Sequence, residues 1–244
     1  MRIIINSETE TVSVQRAETM LGTVRFFRNT FHNKNIYLKF DRSLIRPELA
    51  ETLFAKLYAL FSRPIQVMTD SGDAQLVRFL ILGGCIRARR CYSADADKGD
   101  LSAPCDLPHS RIERAVSGEE KYLRAAEKMF REYLKTHAAI SPFTADFDAF
   151  LTCLPDEALF YESSGEIRAL AFTEENEIAY CCGEEMGEFS AFCAALIDRL
   201  FQAYERIVFE SDDCDPYAMH LRSFFTHPED ESFDTYIYKG AKSE

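Results

Sequence analysis

The chain has 244 residues, of which 47% are hydrophobic and 28% are charged. This composition supplies enough apolar side chains for a packed core and excludes wholesale disorder. The formal net charge of −12 argues against a general nucleic-acid binder, because such proteins present basic surfaces to phosphates. No apolar run approaches the roughly 20 residues of a membrane-spanning helix, and the start lacks the apolar core of a signal peptide. We therefore expect a soluble, cytoplasmic protein with no membrane partner.

Charge is unevenly distributed along the chain. Residues 1–92 carry a net charge of +6 and residues 93–244 carry −18. Such asymmetry predicts two modules with different surfaces. The stretch 93–110 is rich in Ser, Asp, Ala and Pro without hydrophobic periodicity, which is typical of a linker between domains at 1–92 and 111–244. Residues 156–188 contain ten acids and one base, Arg168, so this stretch would attract a partner that carries an amine.

The cysteine pattern predicts free thiols. No C-x-x-C pair occurs, and the spacing of cysteine and histidine residues is not that of a zinc site. We therefore expect no metal, and we interpret most of the cysteines as small buried hydrophobic residues with reduced thiols. The eight cysteines are Cys85, Cys91, Cys105, Cys153, Cys181, Cys182, Cys193 and Cys214.

Hydrophobic periodicity predicts short strands and two helices in the first half. The strands are expected over 2–5, 11–16, 22–28, 35–40, 65–69 and 85–92, and the helices over 47–61 and 73–82.

The second half has a clearer pattern of the same kind. Strands are expected over 111–116, 158–162, 166–172, 177–182, 206–210 and 233–239, and helices over 118–137, 147–154, 188–204 and from 215 to about 225. Short turns at 163–165 and 174–176 indicate an antiparallel meander. Asp215 followed by Pro216 combines a good N-cap with proline at the first helical position.

The two halves share one order of elements. Strand, helix, strand, helix and strand follow each other over 35–92 and again over 177–239. The sequence identity between the two stretches is weak, so this repeat depends on element order alone. We predict an α+β protein with two related halves, the first of them shortened.

The order of strand, two helices, three-stranded meander, helix, strand, helix and strand resembles the GNAT superfamily of N-acetyltransferases. The resemblance covers most of residues 111–239 and, more faintly, residues 1–92. It implies a mixed central sheet flanked by helices, acetyl-CoA as cosubstrate and an amine acceptor on a small molecule or a protein. It leaves a homodimer open.

In that family an apolar-aromatic strand leads into a Gln/Arg-x-x-Gly-x-Gly/Ala loop whose N–H groups hold the CoA pyrophosphate. The strand segment here includes Tyr180. The matching loop runs from Glu184 to Phe189. Glu184 stands where the family pattern has a basic or amide residue, and only Gly187 agrees with the pattern. The residues that the resemblance assigns to cofactor binding are Tyr180, Gly183, Glu184, Gly187, Glu188, Phe189 and Ser190.

Unpaired carboxylates in this loop would repel a pyrophosphate. The shortened half offers Arg42 and Arg46 at the matching place, either as phosphate ligands or as solvated loop residues. The sequence does not decide which half holds the cofactor.

A later family motif resembles Asn-Pro-x-Ala-x-x-Leu-Tyr, in which the tyrosine often protonates the leaving thiolate. This chain has Arg222 at the tyrosine position, and arginine does not release its proton near neutral pH. Arg222 could stabilise a thiolate electrostatically, while Tyr217 and His220 could substitute as proton donors. Glu177 opens the strand before the loop, where several members of that family place a carboxylate, so the resemblance implies a general base there; the alternative is a solvated acid at the end of a strand. Glu177, Tyr217, His220 and Arg222 are therefore the candidate catalytic residues.

Two functions remain open from the sequence. The first is transfer of an acetyl or other acyl group from acyl-CoA to an amine. The second is a catalytically degenerate GNAT fold that binds a ligand or a partner. The altered loop and the missing tyrosine favour the second function, and the element order favours the first.

Overall fold

The computed structural model describes residues 1–102, 111–226 and 231–240. The chain divides into two compact units. The first unit contains Met1–Arg90, His137–Ala145 and Ser232–Glu244, and the second contains Cys91–Thr136 and Asp146–Glu231. No helix in the described segments is long and apolar enough to cross a membrane.

The described residues form twelve strands and six α-helices. In chain order they are β1 (Arg2–Asn6), β2 (Thr11–Arg16), β3 (Thr19–Phe27), β4 (Ile36–Phe40), α1 (Ala50–Phe61), β5 (Ile65–Asp70), α2 (Ala74–Leu82), β6 (Ile86–Asp97), β7 (Glu113–Val116), α3 (Glu120–His137), α4 (Phe147–Leu151), β8 (Glu157–Ser163), β9 (Glu166–Glu174), β10 (Glu177–Gly183), α5 (Met186–Ala203), β11 (Arg206–Asp212), α6 (Pro216–Arg222) and β12 (Glu231–Tyr238).

This order confirms the predicted α+β class with mixed sheets flanked by helices. The differences from the prediction lie at the ends of elements. The helix predicted over 47–61 is a 3-10 turn, Pro47–Leu49, followed by α1. Helix α5 begins two residues earlier than predicted, and α6 ends three residues earlier.

In the first unit the strands lie in the order β1-β2-β3-β4-β5-β12-β6. Strands β4 and β5 are parallel, while β12 runs antiparallel to β5. Helices α1 and α2 cover one face of this sheet. Their buried side chains, which include Leu53, Phe54 and Phe79, share a core with Ile36 and Val67.

In the second unit the order is β6-β11-β10-β9-β8-β7. The pairs β7–β8, β8–β9 and β9–β10 are antiparallel, which confirms the predicted meander. Helix α5 packs its apolar side on this sheet, where Phe192 and Leu196 share a core with Ala171, Ile178 and Phe209. Burial of this one side positions the start of α5 just beyond the end of β10.

The same divergence of parallel strands occurs in each unit. In the described chain, β10 and β11 pair only through Glu177 with Val208 and Ile178 with Phe209, although both strands continue. The pairing register of β10 with β9 shifts next to this point, between Ile178 and Tyr180. A bulge increases local twist and bends a strand, so β10 leaves β11 and exposes one backbone edge. In the first unit β4 and β5 also pair through two residue pairs only.

Strand β6 is longer than predicted and extends into the stretch taken as a linker. Residues 93–97 alternate small buried residues with acids: Ala94 and Ala96 lie in the core, whereas Arg206 forms ion pairs with Asp95 and Asp97. This alternation is that of a half-buried strand. The sequence predicts a linker here because the buried positions carry alanine, which gives a weaker hydrophobic pattern than larger apolar residues. The rest of the predicted linker includes residues 103–110, which lie outside the described residues.

The cysteine environments lead to the first prediction. Burial raises the pKa values of the Cys85, Cys181 and Cys182 thiols, that of Cys182 to about 12, whereas Cys214 is exposed. Thiolate is the reactive form, so the exposed thiol should react first with a chromogenic disulfide reagent and the buried thiols only after unfolding. In denaturant without reductant we expect all eight thiols to react. A deficit of two or more would reveal a disulfide or another modification.

Candidate functional site

The start of α5 leaves backbone N–H groups available. Glu185 is the N-cap residue, and its side chain forms no capping hydrogen bond. Helix geometry gives the N–H groups of Met186, Gly187 and Glu188 no acceptor within the helix. These donors and the positive end of the helix dipole favour an anion at this place.

This set of donors is narrower than the predicted span 183–190. The N–H of Glu184 already donates to Arg168 O (3.0 Å), and that of Phe189 donates to Glu185 O (2.9 Å). Gly183 pairs with Ala169 in the sheet. Ser190 lies one turn into α5, where helical hydrogen bonds use the N–H group.

The two glycines of the loop have different roles. A Cβ atom on Gly183 would lie 2.8 Å from the Cβ of Phe189, so Gly183 permits close packing of the strand end against the helix. Phe189 itself is fully buried, and its side chain belongs to the core. A Cβ atom on Gly187 would meet no protein atom within 4 Å. Gly187 therefore keeps the space outside the helix start open.

The acids of the loop are paired with cations. Glu184 forms ion pairs with Lys128 of α3 and Arg168 of β9, and Arg168 Nε also lies 3.0 Å from Glu188 Oε2. The hydrogen bond from Lys128 lowers the pKa of Glu184, with further lowering from Arg168. The repulsion expected from unpaired carboxylates is therefore reduced, since two positive charges lie against them.

Aromatic and acidic groups of α6 lie beside the same helix start. The ring of Tyr217 packs on Phe189 with 4.9 Å between centroids, and its hydroxyl is 3.5 Å from Glu184 O. Burial raises the pKa of Tyr217, and the nearby Glu132 and Asp215 raise it further. Tyr217 therefore holds its proton at neutral pH.

Asp215 caps α6 from a largely buried position. Its carboxylate accepts hydrogen bonds from the N–H groups of Tyr217 (2.9 Å) and Ala218 (3.1 Å). Burial raises the pKa of Asp215 despite these bonds, and Asp212 and Glu132 add to the effect. Negative charge therefore accumulates where β10 and β11 have separated.

Tyr180 lies on the diverging part of β10. Its ring is 6.1 Å from the rings of Tyr133 and Phe150, which belong to α3 and α4. Burial raises the pKa of Tyr180, and Cys153 and Glu177 contribute to the increase. Its side chain is thus a packing residue, and its contribution to a ligand would come from the backbone edge.

The four candidate catalytic residues do not meet at one point. Arg222 stacks over the ring of Tyr92, with the guanidinium carbon 4.3 Å from the centroid. His220 packs between Phe189 and Phe224, and burial lowers its pKa. Tyr217 and His220 both contact Phe189, and the Tyr217 hydroxyl also reaches Glu184 O.

Glu177 lies at the opposite end of β10 from the loop. Six steps along the strand separate it from Gly183, which corresponds to about 20 Å. Its charge contributes to the raised pKa of Tyr180, three positions further along the same strand. Glu177 could therefore act as a general base only if the reacting amine lies near the start of β10, where β10 and β11 begin to diverge.

Among the described residues, the start of α1 in the first unit has N–H groups that are already occupied. The N–H groups of Leu49 and Ala50 donate to Arg46 O and Pro47 O within a 3-10 turn. Arg42, one of the two arginines considered for phosphate, forms an ion pair with Asp73 at 2.8 Å. The geometry therefore favours the second unit as the place for an anion.

A cavity of about 430 Å³ lies elsewhere in the second unit. Carboxylates of Asp156, Glu157, Glu174 and Glu175 line it beside Arg199. Arg199 belongs to the last turns of α5, a helix of 18 residues and about 27 Å. This cavity is therefore separate from the start of α5. Among the described residues, no group of three or more His, Cys, Asp or Glu could hold a metal ion.

Sequence reasoning missed the cations of this site. Lys128 and Glu184 are 56 residues apart, so no local pattern connects them. Arg168 had a usable signal, because it is the only base among ten acids over 156–188. A single base in such an acidic stretch predicts that its side chain forms ion pairs with one or more of the neighbouring carboxylates.

The two glycines provide a paired stability test. Gly183→Ala should lower the free energy of unfolding by about 1–3 kcal/mol, because the new methyl group overlaps the buried Phe189. Gly187→Ala should leave the protein as stable or slightly more stable, since alanine favours a helix by up to about 1 kcal/mol. Urea unfolding of both variants measures the difference. Equal losses would show that the end of β10 does not pack against Phe189 in this way.

Asp215→Asn tests the buried cap through its pH dependence. A pKa raised above the unfolded value of about 3.9 means that the ionised form is less stable when folded. The stability contribution of Asp215 is therefore lost as pH rises from 4 towards 7, whereas asparagine caps the helix without a charge. We expect the stability of the variant relative to the wild type to increase over this range in urea titrations.

The exposed cap of α4 supplies the control for that experiment. Asp146 accepts a hydrogen bond from Ala149 N in the same manner but lies at the surface. Asp146→Asn therefore measures the effect of exchanging the capping group alone. A pH dependence of the same sign and size for both variants would contradict the assigned effect of burial at Asp215.

The sequence matches no family model and no curated protein. Solved structures do match it. A GCN5-related N-acetyltransferase from Sphaerobacter thermophilus aligns with a TM-score of 0.53 and 9% identity, covering 96% of this chain and 83% of that one. A GCN5-related N-acetyltransferase from Kribbella flavida aligns with a TM-score of 0.51 and 15% identity, covering 98% and 90%. At such identities the likeness concerns the fold, and this chain has the GNAT fold that its element order resembles.

Proposed function

We propose that the second unit binds acyl-CoA at the start of α5 and transfers the acyl group to an amine. The observation that carries this proposal is the open helix start at Met186, Gly187 and Glu188, placed where β10 leaves β11. A pyrophosphate would accept hydrogen bonds from these N–H groups. The exposed backbone edge of β10 would then hold the extended arm of the donor.

The residues present fit such a donor. The space outside Gly187 is free of protein atoms, and Lys128 and Arg168 offset the acids of the loop. Acyl-CoA supplies an activated thioester when bound. The N–H groups on the free edge of β10 would donate to the thioester carbonyl oxygen and stabilise the negative charge that develops there.

The acidic surroundings favour an amine as acceptor. Glu132 and Asp215 act on Tyr217, and Asp212 and Glu132 act on Asp215, so the acids beside Tyr217 would attract a cation. An ammonium must lose a proton before it can attack, and Glu177 is the candidate base at the start of the diverging strands. Tyr217 keeps its proton at neutral pH, and its place beside Glu184 O suits a hydrogen bond from its hydroxyl to a phosphate of the donor.

A calorimetric titration with acetyl-CoA tests this proposal. Wild type should bind, and Gly187→Val should bind at least about tenfold more weakly, because its side chain fills the space required by the pyrophosphate. Gly187→Ala serves as the milder variant. Unfolding measurements should show that both variants remain folded.

Turnover distinguishes an enzyme from a binding protein. With acetyl-CoA and a panel of primary amines, release of free CoA thiol should require an amine. Binding without turnover would favour the catalytically degenerate protein. Absence of binding at millimolar acetyl-CoA would contradict both the donor and the site.

A further inference from the structure

Two basic side chains lie against the start of α5 without belonging to its loop. Lys128 extends from α3 and Arg168 from β9, and both contact Glu184. Arg168 also reaches Glu188 in the first turn of the helix, at 3.0 Å. Both cations are therefore held by carboxylates of the loop and first turn that precede or carry the available N–H groups.

These contacts remain open to solvent. The side chains of Lys128 and Arg168 are 16% and 30% exposed, and those of Glu184 and Glu188 are 38% and 35% exposed. Ion pairs that are open to solvent stabilise a protein only weakly. A ligand can therefore displace the carboxylates at little cost.

Resting on the proposed function, we propose that Lys128 and Arg168 are the cationic ligands of the donor pyrophosphate, and that Glu184 is an exchangeable counter-ion. In the free protein Glu184 holds both cations beside the helix start. When the donor binds, phosphate oxygens replace the carboxylate oxygens on the same cations. No bond is made or broken, and one set of charge-assisted hydrogen bonds replaces another.

The charges near the helix start favour such an exchange. Glu184, Glu185 and Glu188 belong to the loop and first turn; the hydrogen bond to Glu188 raises the pKa of Arg168, and the charges of Glu184 and Glu185 raise it further. The partial charge of a helix N-terminus is about +0.5 and cannot offset three acids. Two cations moving to the phosphates supply the missing attraction, and the planar guanidinium of Arg168 suits two phosphate oxygens at once.

The test compares charge variants in titrations with acetyl-CoA. Arg168→Gln and Lys128→Gln should each weaken binding by on the order of tenfold, because each removes a charged donor. Glu184→Gln should strengthen binding by about threefold or more, because it frees both cations. The gain should shrink as salt rises, since exposed charges are screened.

The ion pair between Arg114 and Glu157 supplies matched controls. It joins β7 and β8 in the same unit, with side chains 54% and 30% exposed. Arg114→Gln and Glu157→Gln change the net charge by the same amounts as the test variants. Their affinities for acetyl-CoA should equal that of the wild type.

The outcomes separate this inference from the proposed function. If wild type binds acetyl-CoA and Arg168→Gln binds equally well, the cationic role is wrong while the donor site stands. If Glu184→Gln weakens binding, Glu184 is a ligand or a structural anchor and the exchange is wrong. If neither the wild type nor any variant binds acetyl-CoA, both the inference and the proposed function fail. Equal changes in the Arg114 and Arg168 variants would reveal a general charge effect and overturn the assignment.

Discussion

The separation of β10 from β11 is the constraint on which the candidate site depends. Only two residue pairs connect these parallel strands, and the register with β9 shifts where the pairing ends. A bulge twists the strand away from its neighbour. The divergence exposes one edge of β10 and brings its end, Gly183, under Phe189. The helix start, the loop acids and Tyr217 all take their places from that contact.

Local pairing of charges outweighs the net charge of the chain at this site. A formal charge of −12 excludes a broad basic surface, yet a helix start with two cations nearby can still receive an anion. Lys128 and Arg168 provide those cations from separate elements. Under the proposed function, the helix start would receive the pyrophosphate and the nearby acids would attract the amine.

The two units show how one element order can lead to different sites. Each has a parallel strand pair that separates after two residue pairs, and in each the chain forms a helix after the first strand and before the second. In the first unit the loop before α1 buries Leu44 and Ile45 and forms a 3-10 turn that uses its N–H groups. Both α1 and α5 begin without a side-chain cap, but no 3-10 turn directly precedes α5 among the described residues of the second unit. The loop before the helix is therefore what distinguishes the two helix starts.

The sequence by itself determined the element order, the meander and the capped start of α6 at Asp215, because periodicity and capping are local properties. It also showed that Arg222 replaces the family tyrosine. Only the tertiary structure decided that Arg222 stacks on Tyr92 and that Glu184 pairs with Lys128. It likewise turned the alanines and aspartates of 93–97 into a strand. These outcomes depend on strand register and on which faces of the strands and helices pack together. Both bring together residues that are far apart in the chain, so no local pattern predicts them.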